Sequence, residues 1–143
     1  MKNSISLLVM TLALVLNIES NAQCNGNKCV QNLMKYTLLK SYDINLPGRK
    51  GQMERPPESS FPVVLSKGTR YRIAGCPGQT ATPSDMIYAL YLGEKLISTN
   101  KSKSGKTYAA FEFVCNETGV YYLKAHFAAG TKGCGSASLS MSK

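Results

Sequence analysis

Nucleophilic hydrolysis needs a base held against the nucleophile, usually an imidazole, and this sequence supplies one histidine, His126. In VYYLKAHF, two-residue alternation puts His126 with Tyr122 and Lys124, opposite the face of Tyr121, Leu123, Ala125 and Phe127. That predicts a surface histidine. A thiol–imidazolium pair with Cys115 or Cys134 would need a free thiol, which export and disulfide formation disfavour. Glycoside cleavage needs two carboxylates about 5 to 10 Å apart. After the first twenty-two residues the choices are Asp43, Glu54, Glu58, Asp85, Glu94, Glu112 and Glu117, and they fall in a proline-rich connection, in turns and on wet strand faces. No pair stands out. One histidine and scattered acids give no zinc spacing, and no DxDxDG run marks a calcium loop. The expectation is a protein without catalytic residues, metal or cofactor.

Chemistry of binding is better represented. Lys101, Lys103 and Lys106 are separated by serines and a glycine, with Lys95 shortly before them, and could hold sulfate, uronate or phosphate groups. Tyr88, Tyr108 and Tyr122 are the tyrosines expected off the core stripe, where a ring can stack on a sugar; tryptophan is absent.

MKNSISLLVMTLALVLNIESNA begins the chain with Lys2, an apolar run from Ile5 to Leu16 and a small-residue end at Ala22. This is the pattern of an export signal, and its apolar run is short of the roughly twenty residues that span a bilayer. The expected destination is the periplasm or the extracellular space. Cys24, Cys29, Cys76, Cys115 and Cys134 all follow the expected cleavage point, where disulfides persist. Local spacing favours Cys24 with Cys29, around NGNK, and Cys115 with Cys134, at the end of one strand and the start of another; a fifth thiol is left over. The remainder carries sixteen Lys and Arg against seven Asp and Glu. This balance favours anionic partners, an acidic polysaccharide first or else an envelope protein; export and the absence of any nucleic-acid-binding motif exclude nucleic acid.

The elements that must position these residues are strands. Short runs of alternating or apolar residues are separated by glycine, proline and polar turns, with no long helical period. A first strand is predicted over Lys35–Leu46, with Tyr36, Leu38, Tyr42, Ile44 and Leu46 at two-residue spacing. Val63–Leu65 and Thr69–Ala74 read as a hairpin about Ser66-Lys67-Gly68, and TYAAFEFVC and VYYLKAHF as another about Asn116–Gly119. MIYALYL reads as a central strand, the connection from Asn100 to Lys106 as exposed, and the last strand runs from Cys134 to Met141. The domain plan is a signal over 1–22, a cysteine-bearing segment over 23–34 and one sandwich over 35–143. The predicted fold is all-β, an antiparallel two-sheet sandwich of jelly-roll type with seven or eight strands.

Three stretches carry a resemblance: Gly68, Thr69 and Tyr71 in VVLSKGTRYRI; Leu90, Tyr91 and Leu92 in MIYALYLGEKLISTN; and Thr118, Gly119, Tyr121 and Leu123 in AFEFVCNETGVYYLKAHF. Together they resemble bacterial pre-peptidase C-terminal domains, over about Phe61 to Phe127. The signal and the late Gly-Cys-Gly also resemble small exported Bacteroidota sandwich proteins. The resemblance implies a β-sandwich and a non-catalytic binding or accessory role at the cell envelope or outside the cell. A small hydrolase is the alternative least supported by the residues.

Overall fold

The computed structural model describes residues 35–52, 55–78 and 86–143. The signal expected over 1–22 and the segment expected over 23–34, with Cys24 and Cys29, lie outside the described residues. Among the described residues eight strands follow one another: β1 (Tyr36–Leu46), β2 (Ser59–Leu65), β3 (Arg70–Pro77), β4 (Met86–Leu92), β5 (Lys95–Thr99), β6 (Ala110–Val114), β7 (Gly119–Phe127) and β8 (Gly133–Ser142). They form two four-stranded antiparallel sheets, sheet A in the order β1-β8-β3-β6 and sheet B in the order β2-β7-β4-β5. The pairs β1·β8, β2·β7, β3·β6 and β4·β5 are the rungs of one long hairpin, bent over so that β3 also meets β8 and β4 meets β7. That is the jelly-roll path.

Alternation explains which face of each strand is buried. Tyr42, Ile44 and Leu46 of β1, Tyr71 and Ile73 of β3, and Ala137 and Leu139 of β8 enter the core from sheet A. Val63, Leu65, Met86, Tyr88, Leu90, Tyr121, Leu123, Ala125 and Phe127 meet them from sheet B. Tyr42 and Phe61 join the layers, with ring centroids 4.8 Å apart. Every second methylene-rich side chain therefore leaves water, at about 1.5–3 kcal/mol for each large one. A bulge between Leu38 and Lys40 shifts the start of β1 out of this register, so Leu38 is exposed rather than aligned with Tyr42.

Two predicted hairpins are arches instead. β2 lies in sheet B and β3 in sheet A, while β6 lies in sheet A and β7 in sheet B. The residues between them carry the chain from one layer to the other. The two arches brace each other at one end of the sandwich: Gly68 N donates to the Cys115 carbonyl at 2.7 Å, Cys115 N to the Thr69 carbonyl at 2.9 Å, and Lys67 N to Thr118 Oγ1 at 2.9 Å. Gly68 has φ +83°, which favours glycine there. By contrast, Gly93, with φ +58°, does close a true hairpin between β4 and β5.

The cysteines also depart from expectation. Cys76 and Cys134 are disulfide-bonded, and Cys115 is a buried free thiol, so no Cys115–Cys134 bond exists. The reason is distance along β3. Cys115 is hydrogen-bonded to Thr69 at one end of that strand, and Cys134 accepts from Gly78 N beyond its other end. Nine residues separate Thr69 from Gly78, about 30 Å at strand rise, whereas a disulfide needs Cα atoms within about 7 Å.

Candidate binding surface

The connection between β5 and β6 is a built structure rather than a loose loop. Asn100 stands at its head and is 1% exposed. Its Nδ2 donates to the carbonyls of Met86 at 3.0 Å and Tyr108 at 3.1 Å, and its Oδ1 accepts from Tyr88 N at 2.9 Å. The backbones of Asn100 and Tyr108 are joined as well, Tyr108 N donating to the Asn100 carbonyl at 2.8 Å. Beyond this clamp Lys101 forms a β-bridge with Thr107. The tip closes through Ser102 N to the Lys106 carbonyl at 2.8 Å, Gly105 N to the Ser102 carbonyl at 2.9 Å, and Lys106 N to Ser102 Oγ at 3.1 Å. Asn100 falls in the connection that composition predicts to be exposed. It is instead the buried amide that fixes that connection, and polarity alone gave no signal of it.

On this finger Lys101, Lys103 and Lys106 are exposed. Lys106 Nζ lies 5.2 Å from the centre of the half-exposed Tyr108 ring. No acidic residue occurs between Glu94 and Glu112. Three cations and one aromatic ring thus share one rigid projection. Lys95 is not part of it: six residues from Lys101, it sits about 20 Å away at the far end of β5.

Tyr88, predicted as a surface ring, lies inside the sandwich. It is 1% exposed, on the core face of β4, and its hydroxyl donates to the Ala109 carbonyl at 2.6 Å while accepting from Gly75 N at 3.0 Å. Burial pushes its phenol up to about 12, with the Gly75 hydrogen bond opposing the shift. Gly75 makes the room, since a Cβ there would lie 2.3 Å from Tyr88 Cε1. Tyr88 therefore holds the base of the lysine finger from inside and cannot stack on a ligand.

Tyr122 is 40% exposed, on the outer face of sheet B. Strand register aligns Pro62, Tyr122, Tyr91 and Leu96 in one row across all four strands, with Val64 opposite Val120 beside it. Tyr91 was not among the predicted site residues. Lys124 Nζ lies 5.2 Å from the Tyr91 ring centre and 3.3 Å from Glu58 Oε1. Toward the lysine finger the same face presents His126, half-buried. Desolvation lowers its pKa, Glu58 pulls the other way and Lys101 adds to the lowering, so the ring is neutral at pH 7. Backbone pairing places the finger beside this face, since Asn100 N donates to the Tyr88 carbonyl and the neighbouring Ile87 lies opposite His126.

The free thiol and the imidazole are not brought together. Cys115 Sγ is 3.1 Å from the Glu117 carbonyl and 3.5 Å from the Tyr121 hydroxyl, and His126 lies five residues further along β7, about 17 Å. Beside Cys115 a cavity of about 100 Å³ opens between the edges of β5 and β6, walled by Leu92, Ile97, Phe113 and Tyr121. Small-molecule sites are typically about 300–1,000 Å³. Among the described residues no three His, Cys, Asp or Glu side chains converge on a possible metal position, and no helix is long and apolar enough to cross a membrane.

No family model matches the chain, so the resemblance to pre-peptidase C-terminal domains rests on the quoted residues alone. Those residues build the two braced arches, the β4–β5 hairpin and the core faces. No curated protein matches the sequence. Among solved structures the chain is similar to PliG of Aeromonas hydrophila, a periplasmic inhibitor of g-type lysozyme, with TM-score 0.49 and 8% identity, covering 75% of this chain and 86% of that one.

Proposed function

We propose that this protein is an exported, non-catalytic binding module whose lysine finger takes an anionic polymer, an acidic polysaccharide of the envelope or its surroundings. The observation that carries this reading is the finger itself: three exposed lysines in a stretch with no acidic residue between Glu94 and Glu112, held by a buried asparagine clamp. Ordering flexible side chains and loops consumes binding energy, and a finger that is already ordered loses less. The formal net charge of +9 steers anionic chains toward the molecule, and the attraction weakens as salt shortens the Debye length.

The test is retention of the protein by immobilised acidic and neutral polysaccharides at low and high salt, for the wild type and a Lys101→Ser/Lys103→Ser/Lys106→Ser variant. Each lysine against one anionic group in solvent contributes about 1 kcal/mol, so the triple variant binds the acidic polymer about 100-fold more weakly. Equal retention of variant and wild type would end this reading. A second reading has its own observation, the Pro62–Tyr122–Tyr91–Leu96 row, which suits stacking on a neutral polymer. Its mark is salt-insensitive retention lost in Tyr122→Ala.

A further inference from the structure

The two ends of the sandwich differ in charge. Register brings the last residues of β1, β3, β5 and β7 to one end, so the connections β1–β2, β3–β4, β5–β6 and β7–β8 all emerge where the finger does. Besides the lysines of the finger, the described residues of these connections include Arg49, Lys50, Arg55 and Lys132, all exposed. The acid described there, Glu58, is ion-paired with Lys124 at 3.3 Å. Glu54 and Asp85 belong to the same connections by sequence and lie outside the described residues. At the other end the signs are mixed, with Lys67 and Lys95 matched by Glu94 and Glu117.

The four added cations are gathered around one turn. Arg49 N donates to the Gly130 carbonyl at 2.8 Å. A Cβ on Gly130 would lie 3.1 Å from Arg49 Nε and 3.4 Å from Pro56 Cβ, so Arg49 and Pro56, the sequence neighbours of Lys50 and Arg55, pack on the same glycine. Gly48 lies as closely on Lys132, whose N would be 3.3 Å from a Cβ there. The turn itself is strained. Exposed Ala129 has φ +57° and is the one non-glycine residue at positive φ among the described residues; Gly130 follows at +69°. Thr131 N and Oγ1 both donate to the Ala128 carbonyl, at 3.3 and 3.1 Å, and close the turn from its other side. A left-handed residue that carries a Cβ persists only where its surroundings dictate the backbone, and such residues gather at ligand clamps. Here the contacts that dictate it also bring the cations together.

We infer that Arg49, Lys50, Arg55 and Lys132 form a second anion-binding cluster, and that one polyanion chain crosses this end of the sandwich to engage the cluster and the finger together, which presupposes the finger as the polyanion site proposed above. β1 and β6 are separated by β8 and β3, three strand spacings or about 14 Å. At physiological salt this exceeds the Debye length of about 8 Å, so the two groups of cations hardly repel one another, while each attracts an anionic group in contact with it. The chemistry of the two groups differs. Arginine takes a carboxylate through two parallel hydrogen bonds, where lysine acts as a point charge. A chain held at one group presents its remaining length to the other at high effective concentration, and a chain too short to cross about 14 Å gains nothing from the second group.

Calorimetric titration of the exported protein at low salt with a galacturonate disaccharide and octasaccharide tests the span. The wild type is expected to bind the octasaccharide about 100-fold more tightly than the disaccharide. Lys50→Ser/Arg55→Ser/Lys132→Ser is expected to bind the octasaccharide about 100-fold more weakly than the wild type does, and to bind the disaccharide, which the finger holds alone, as before. All three side chains are exposed, so the melting temperature of the variant should stay near that of the wild type and the loss is one of binding. Equal octasaccharide binding by this variant and the wild type, or no gain of octasaccharide over disaccharide in the wild type, overturns the span. If Lys101→Ser/Lys103→Ser/Lys106→Ser alone loses the octasaccharide, the finger reading stands and the second cluster falls. If the cluster variant alone loses it, the finger reading and the span fall together.

Discussion

Replacing Asn100 with alanine tests whether the lysine finger is positioned by the core. The substitution removes one acceptor and two donors from a site that is 1% exposed. Tyr88 N loses its Asn100 Oδ1 acceptor and Met86 O its Nδ2 donor, while the Tyr108 carbonyl keeps the Tyr88 hydroxyl at 3.3 Å. Two buried groups are orphaned, at about 1–3 kcal/mol each, giving a loss of about 4 kcal/mol. For a domain of this size that is a fall of about 15 °C in the melting temperature. Calorimetry or urea unfolding of the variant reads it directly. Lys103→Ala, on the same finger but exposed, should change stability by less than about 0.5 kcal/mol, which separates loss of the clamp from disturbance of the finger. The two variants should differ in binding for different reasons: Asn100→Ala by misplacing all three lysines, Lys103→Ala by deleting one charge. A loss below about 1 kcal/mol in Asn100→Ala would refute the clamp, and with it the claim that the finger is preordered.

Gly75→Ala places a Cβ 2.3 Å from Tyr88 Cε1 and 2.5 Å from Met86 Cε, and overpacking of this kind costs about 1–3 kcal/mol by denaturant unfolding. Its destabilisation should largely disappear in Gly75→Ala/Tyr88→Ala, measured against Tyr88→Ala alone, because the clashing ring is then gone. His126 has a folded pKa below its ordinary 6.5, chiefly from desolvation, so the unfolded chain binds the extra proton more readily. Its contribution to stability is present above pH 6.5 and is lost as the pH falls through the lowered pKa; the melting temperature of His126→Gln should fall less than that of wild type between pH 7 and 5, and an unchanged slope would exclude His126 as its source.

Strand faces were legible where one side is wet. Phe111, Phe113 and Cys115, and Tyr121 through Phe127, alternate cleanly because β6 and β7 each have one face toward the other layer. Parity failed in MIYALYL, where five consecutive residues are buried and alternation is absent. There the sequence could not distinguish Tyr88, inside, from Tyr91, outside. Pairing was the other blind point. Ser66-Lys67-Gly68 and Asn116–Gly119 have the composition of tight turns, and a tight turn serves a hairpin or an arch between layers equally well. Which of the two forms depends on distant partners: β2 is claimed by β7 and β3 by β8. No local signal reports those contacts, and the same holds for Cys115 and Cys134, whose places at strand ends suggested a bond that the length of β3 forbids.

The jelly-roll path also explains why the finger can be both exposed and rigid. β5 is the edge of sheet B and β6 the edge of sheet A, so the chain between them must bridge two layers at the open side of the sandwich. Sheets pack about 10 Å apart, and a bridge of that length with no buried contacts would pay the full ordering entropy of its residues. Asn100 removes most of this cost by bonding to β4, the strand beside β5, and to Tyr108, the residue returning toward β6. Tyr88 secures the same return from within through Ala109. Between those anchors only Lys101 to Thr107 project, so the lysines are confined to a segment whose ends cannot move without breaking buried hydrogen bonds. The polyanion site proposed above needs cations at fixed spacing more than it needs a pocket, and on that reading this segment supplies them on the side of the fold where the two sheets part.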